Sequence, residues 1–147
     1  MKNLDRVEIL LVEDSPADAE MTRRALRKFN FGDRLSWVKD GAEALDFIFC
    51  RGAFADRDRA RTPTLIVLDL KMPKVDGMEV LRQVKDDHLM RSIPIVVMTS
   101  SNEERDVTES YRLGANSYIV KPVEFGAFAA VVEKIGLYWV LTNRVPA

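Results

Sequence analysis

Short, wholly apolar runs separated by stretches of helical periodicity constrain this chain more than any other feature. "ILLV" at Ile9–Val12 and "LIVL" at Leu65–Leu68 hold no polar residue, and "IPIVVMT" at Ile93–Thr99 holds none before its final threonine. A strand apolar on both sides has to be covered on both faces, as in a parallel sheet lying between helix layers. Val7–Val12, Arg34–Val38, Leu65–Asp69, Ile93–Thr99 and Ser117–Val120 read as strands. Helical patterns fill the gaps. Pro16–Asn30 carries Ala17, Met21, Ala25 and Phe29 four apart, with Ser15 as N-cap, Pro16 in the first turn and Asp18 completing a capping-box pattern. A second helix, capped by Asp40, carries Leu45, Ile48 and Phe49. Gly77–Lys85 and Glu103–Leu113 follow, the latter stopped by Gly114, and the last helix runs from about Val123 to Val140. Five β-α units with right-handed crossovers predict an α/β fold, a doubly wound five-stranded parallel sheet with five helices.

Composition narrows the function. With 22 basic against 23 acidic side chains, the net charge of −1 gives no general pull toward nucleic acid or anionic lipid. The four apolar residues Ile9–Val12 are too few for a signal-peptide core, and no run approaches the roughly 20 residues of a membrane span. A lone cysteine, Cys50, allows no disulfide within the chain. A cytoplasmic protein that contacts neither membrane nor nucleic acid is expected. The long connection Arg51–Pro63, of mixed arginine and aspartate, reads as a solvated loop. The single histidine, His88, reads as a loop residue.

Polar residues fall where the strands end. Strand 1 runs into Glu13-Asp14, strand 3 into Asp69, strand 4 into Thr99-Ser100-Ser101, and strand 5 into Lys121-Pro122. Ligands of open α/β sheets bind beyond those carboxyl ends. Three neighbouring carboxylates repel unless a cation neutralises them, and Mg²⁺ suits an oxygen-only donor set that zinc does not. Lys121 supplies a point charge for an anion and Thr99 a hydroxyl donor. Such a site accommodates an aspartyl phosphate, with a carboxylate as nucleophile and catalysis by positioning and charge neutralisation.

The segments "LVEDSP", "LDLKMPKVDG", "MTSS" and "YIVKP", in this order and spacing, resemble the signature segments of the response-regulator receiver domain, the chemotaxis-regulator-like phosphoacceptor module. The resemblance spans Val7 to about Ile135. It implies the flavodoxin-like strand order 2-1-3-4-5, Asp69 as phosphoacceptor, and Glu13, Asp14 and Asp69 around Mg²⁺ with the backbone carbonyl of Lys71. It also implies phosphoryl contacts from Thr99 and Lys121, a switch pair of Thr99 and Tyr118, and a cis Lys121–Pro122 peptide. The long loop before strand 3 and the ending "IGLYWVLTNRVP" are similar to the single-domain regulators that partner phytochrome-type (bacteriophytochrome) sensor histidine kinases.

On this reading residues 1–147 form a single receiver domain whose last helix and tail extend from about residue 136. It is a phosphoacceptor that catalyses only its own phosphotransfer and dephosphorylation, and is not otherwise an enzyme. Lys71 and Ser101, each two residues beyond Asp69 and Thr99, are placed to set the phosphate lifetime. The last helix holds more apolar residues than one buried face uses. Phe125, Phe128, Tyr138 and Trp139 are expected at a homodimer interface built from helix 4, strand 5 and helix 5. A Mg²⁺-dependent phosphohydrolase would also use a strand-end aspartate, but its usual second aspartate two residues on is here Lys71. A phosphorylation-independent interaction module is the remaining rival.

Overall fold

The computed structural model describes residues 7–31 and 34–146. Five parallel strands form one sheet in the order β2-β1-β3-β4-β5: β1 Ile9–Val12, β2 Leu35–Val38, β3 Leu65–Leu68, β4 Ile95–Thr99 and β5 Ser117–Val120. Five helices alternate with them: α1 Pro16–Arg27, α2 Gly41–Ile48, α3 Gly77–Asp86, α4 Glu104–Arg112 and α5 Phe125–Ile135. The expected doubly wound class and strand order are what the chain adopts. The register pairs Val12 with both Val38 and Leu68, and Thr99 with Val120. Strands β1, β2 and β3 therefore end level, β4 runs two residues further with β5 beside it, and the residues that follow gather along one rim.

The alternation of β side chains splits the core into two layers. Leu10, Val12, Ile66, Leu68, Ile95 and Val97 face α2 and α3. Ile9, Leu11, Leu65, Val67, Val96 and Met98 face α1 and α5. The central strands β1, β3 and β4 are buried throughout, whereas edge strand β5 is only half-covered.

Local chemistry sets the helix ends. Ser15, Asp40 and Asp76 each accept a backbone N–H three residues on, at 3.2, 2.8 and 3.1 Å. Helix α1 stops three residues earlier than its periodicity suggests. Asn30 takes the left-handed conformation (φ 62°), and the Phe31 N–H reaches back to the Leu26 carbonyl at 3.1 Å, a Schellman closure. The inward residues of α1 are Ala19, Thr22, Ala25 and Leu26, and Ala17 is exposed. The four-apart stripe starts off the inner face at Ala17 and rotates onto it by Ala25, because each four-residue step overshoots a 3.6-residue turn.

Two further segments depart from the sequence reading. The loop after α2 is anchored: it begins with a 3-10 turn, Gly52–Phe54, and Arg57 folds back over the Phe47 ring at 3.7 Å while pairing with Glu8 at 3.5 Å. The last helix begins at Phe125 and widens after Ile135 into a π-helical stretch, Gly136–Thr142. Phe125–Thr142 is long and apolar enough to cross a membrane by length and composition. Its Phe128, Val132, Ile135 and Val140, however, lie in the core against α1 and the sheet. Phe128 is 3% exposed, so the domain itself covers this residue and it is not available to an interface. Helical spacing from Phe125 groups the two phenylalanines, but only the second turns inward.

Lys85 ties the end of α3 to the entrances of β4 and β5. Its ammonium donates to the carbonyls of Arg91 (3.0 Å) and Ile93 (2.7 Å) and to Asn116 Oδ1 (3.0 Å), while burial pulls its pKa down to about 8. Replacing Lys85 with Met removes this donor: Asn116 Oδ1 keeps the Ile95 N–H at 2.8 Å and the exposed Arg91 carbonyl meets water, so the part-buried Ile93 carbonyl loses most. The expected cost is about 1 kcal/mol, since a part-buried acceptor left without its partner incurs its desolvation penalty. At roughly 4 °C per kcal/mol for a domain of this size, a thermal melt reads the difference directly.

Candidate functional site

The site lies where β1, β3, β4 and β5 run out. Glu13 N–H bonds to the Val38 carbonyl and Asp69 N–H to the Val12 carbonyl, both at 3.0 Å, carrying the sheet one residue past β1 and β3. Both carboxylates are thereby held on a rigid ladder, at 3% and 6% exposure, while Asp14 is exposed. One oxygen from each of Glu13, Asp14 and Asp69 falls within 4.8 Å of the others. Lys121 enters from β5, its N–H bonded to the Thr99 carbonyl at 2.7 Å. Its ammonium pairs with Glu13 Oε1, with Asp18 Oδ2 at 2.8 Å and with Asp69 Oδ2 at 3.0 Å. The other Asp69 oxygen accepts the Lys71 N–H at 3.3 Å.

The loop from Leu70 to Asp76 closes over this corner because two glycines let it. A Cβ on Gly77 would sit 2.3 Å from the Asp69 carbonyl oxygen, and one on Gly41 would sit 1.9 Å from the Val75 carbonyl oxygen. Either side chain would push the loop away from Asp69. Gly77 N–H instead bonds to the Leu70 carbonyl at 2.9 Å, and Lys74, in the left-handed region (φ 63°), pairs with Asp40 at 3.6 Å. From the β2 side, the Trp37 indole N–H donates to the Glu13 carbonyl at 2.7 Å.

Thr99 is fully buried at the end of β4, its Oγ1 accepting the Ser101 N–H at 3.4 Å. Ser101 is also buried and donates its hydroxyl to Asp106 in α4 at 2.5 Å. Tyr118 is half-buried and donates its hydroxyl to the Ser101 carbonyl at 2.9 Å. Strand β4, helix α4 and strand β5 thus meet at one residue beside the rim. Lys71 is exposed.

The structure differs from the sequence reading at two points here. Asp18 does not close a capping box. Glu13 Oε2 accepts the Ser15 N–H at 3.2 Å, and the Asp18 carboxylate turns across to Lys121. A full ammonium competes better for a carboxylate than one backbone amide. Asp18 is therefore a site residue the sequence hid, since "SPAD" reads as capping alone. The Lys121–Pro122 peptide is trans, the isomer that X–Pro bonds favour by about 0.5–1 kcal/mol.

Electrostatics follow from the crowding. Burial raises the Glu13 carboxyl to about 7, against the opposing pull of the Lys121 ammonium. Lys121 itself is held above its ordinary value: burial works against the ammonium, and the Asp18 and Glu13 hydrogen bonds overcome it. One ammonium does not neutralise this many carboxylates, and a hard divalent cation would complete the balance. The donors fit it, being carboxylate oxygens from two rigid strand ends with no imidazole or thiolate in the group.

These features define a doubly wound domain with a cation-accepting acidic corner at its carboxyl rim. Residues 9–133 match the response regulator receiver domain, and the chain belongs to that family. It is 40% identical over 138 residues to the probable methanogenesis regulatory protein FilR2 of Methanothrix harundinacea, covering 94% of this chain and 86% of that protein. It is 37% identical over 139 residues to response regulator Rcp1 of Synechocystis, covering 95% and 92%. The crystal structure of the phosphorylated cyanobacterial phytochrome response regulator RcpA superposes with a TM-score of 0.89 at 35% identity, covering 96% of this chain and 99% of that one. The Mn²⁺-bound form of Rcp1 gives 0.88 at 36% identity, with the same coverage. The chain is a receiver-domain response regulator of phosphorylation-based two-component signalling.

The raised Glu13 carboxyl has a consequence for pH. The folded domain keeps a proton that the unfolded chain releases near its ordinary value of 4.5, so the stabilisation is fully present below that pH and is lost as pH rises through about 7. Glu13→Gln removes this titration. Without divalent ions, the melting temperature of the variant relative to wild type is expected to climb between pH 5 and pH 7.5. A difference independent of pH would show that Glu13 is ionised throughout.

Proposed function

We propose that Asp69 accepts a phosphoryl group from the histidine of a sensor kinase, and that phosphorylation is read out through protein–protein contacts. In the transfer the P–N bond of the phosphohistidine breaks, an O–P bond forms on an Asp69 oxygen, and the imidazole leaves. The observation that carries this reading is the Asp69 carboxylate on a rigid strand end, with its two oxygens gripped by the Lys121 ammonium and the Lys71 amide. Glu13, Asp14 and Asp69, with the Lys71 carbonyl, would hold Mg²⁺, which neutralises charge on the carboxylates and on the incoming phosphoryl oxygens. Lys121 then orients and neutralises the transferred group, and Thr99 donates to it. Thr99 shifts toward the phosphoryl and Tyr118 follows, carrying the contact at Ser101 with it.

The kinase is inferred to be of the phytochrome type, on the likeness to RcpA and Rcp1. Residues 1–147 act as one receiver domain, cytoplasmic, away from nucleic acid and membrane, and with no catalysis beyond phosphotransfer and dephosphorylation. Lys71 and Ser101 bear on the lifetime of the phosphate. The expected experiment is phosphorylation by a phytochrome-type kinase in Mg²⁺. The label should be stable to acid, labile to base, and absent when the ion is chelated or in Asp69→Asn. A label retained by that variant overturns the assignment of Asp69.

The domain is proposed to pair with a second copy through α4, β5 and α5. Support comes from apolar side chains left exposed along β5 and the last helix: Phe125 at 59% and Tyr138 at 51% exposure, together with Val120, Val123, Leu137 and Leu141. Trp139 is half-buried and stacks edge-on against Tyr138, with ring centres 4.9 Å apart. Placing charges at both exposed aromatics, as Phe125→Asp with Tyr138→Asp, is expected to halve the mass seen by light scattering. An unchanged mass would take these residues out of any interface.

A further inference from the structure

The structure assigns Asp18 a role that its place in a helix cap conceals: it is a second anchor for Lys121, a positioning residue that keeps the ammonium at the rim when Glu13 and Asp69 turn to a cation. This rests on the metal site proposed above. An ammonium has three N–H donors, and here each has a carboxylate acceptor. Two of those acceptors, Glu13 and Asp69, also belong to the acidic group within 4.8 Å, while Asp18 lies outside that group. The same lysine therefore competes with any divalent ion for two carboxylates and not for the third.

Asp18 is built to stay in place during that exchange. Its N–H bonds to Ser15 Oγ at 3.2 Å and its carbonyl accepts the Thr22 hydroxyl at 2.8 Å, so the first turn of α1 fixes the backbone. The carboxylate is 27% exposed and reaches a partner 103 residues away in the chain. When Glu13 and Asp69 give up the ammonium, Asp18 still holds it by one bond and two N–H groups come free. One of them faces the Asp69 oxygen it has left, where a phosphoryl group would arrive, and the other faces the Glu13 oxygen. Without Asp18 the lysine has only the two cation-binding carboxylates and holds both against the ion.

A double-mutant cycle tests this, using Mn²⁺ binding by calorimetry as the readout. In the presence of Lys121, Asp18→Asn is expected to weaken Mn²⁺ binding about tenfold, and in Lys121→Met by no more than a few-fold, because coupled residues give non-additive effects. Asp18→Glu restores the carboxylate and is expected to recover most of the affinity. If Asp18 merely attracts the ion through space, Asp18→Asn costs the same factor in both backgrounds, and that result overturns the proposal. Should Asp18→Asn fail to fold, Asp18→Ser serves in the same cycle. Wild-type protein that binds no Mn²⁺ would instead remove the metal reading itself, and the inference with it.

Discussion

A single ammonium shared by three carboxylates organises the functional rim. Lys121 comes from β5, Glu13 from β1, Asp69 from β3 and Asp18 from α1. No two of the four lie on the same element, so their charges meet only when the sheet closes in its native order. The arrangement is overcharged on the acidic side, and the Glu13 carboxyl is raised chiefly by its burial, with the Asp69 charge adding to it. A domain with a covered apolar core under these groups maintains the imbalance at modest cost, because the strand ladders hold the backbone regardless of which cation arrives.

Around that corner the packing is made of close approaches rather than bulk. Gly77 and Gly41 let the loop after β3 press onto Asp69 and onto the start of α2. Ser101 is the shared contact of Asp106 and Tyr118, which connects the rim to the α4–β5 side where apolar side chains stand uncovered. The acidic corner and the exposed face are therefore separated by few residues, each held by a directional bond. A change in charge at Asp69 has a short route to the surface.

Much of this was legible in the sequence. The apolar runs at Ile9, Leu65 and Ile95 could only be covered strands, and the polar residues following each had to share an edge. That logic places Glu13, Asp14, Asp69, Thr99 and Lys121 at one edge from the sequence alone. It failed where one residue type serves two purposes. Asp18 sits at a capping position and takes a remote ion pair instead, and no spacing rule distinguishes the two. It failed also where helical spacing cannot say which apolar residue turns inward: Phe125 and Phe128 look alike in sequence, yet only the second meets the core. The early end of α1 depended on Asn30 adopting a left-handed conformation, which asparagine permits without requiring.

The indole bond from Trp37 to the Glu13 carbonyl gives the molecule a property unrelated to signalling. A natural fluorophore touches the backbone of the acidic corner and draws its polarity from it. A cation entering that corner would change the field across the indole ring, and the ultraviolet emission of Trp37, over a constant contribution from Trp139, would shift with it.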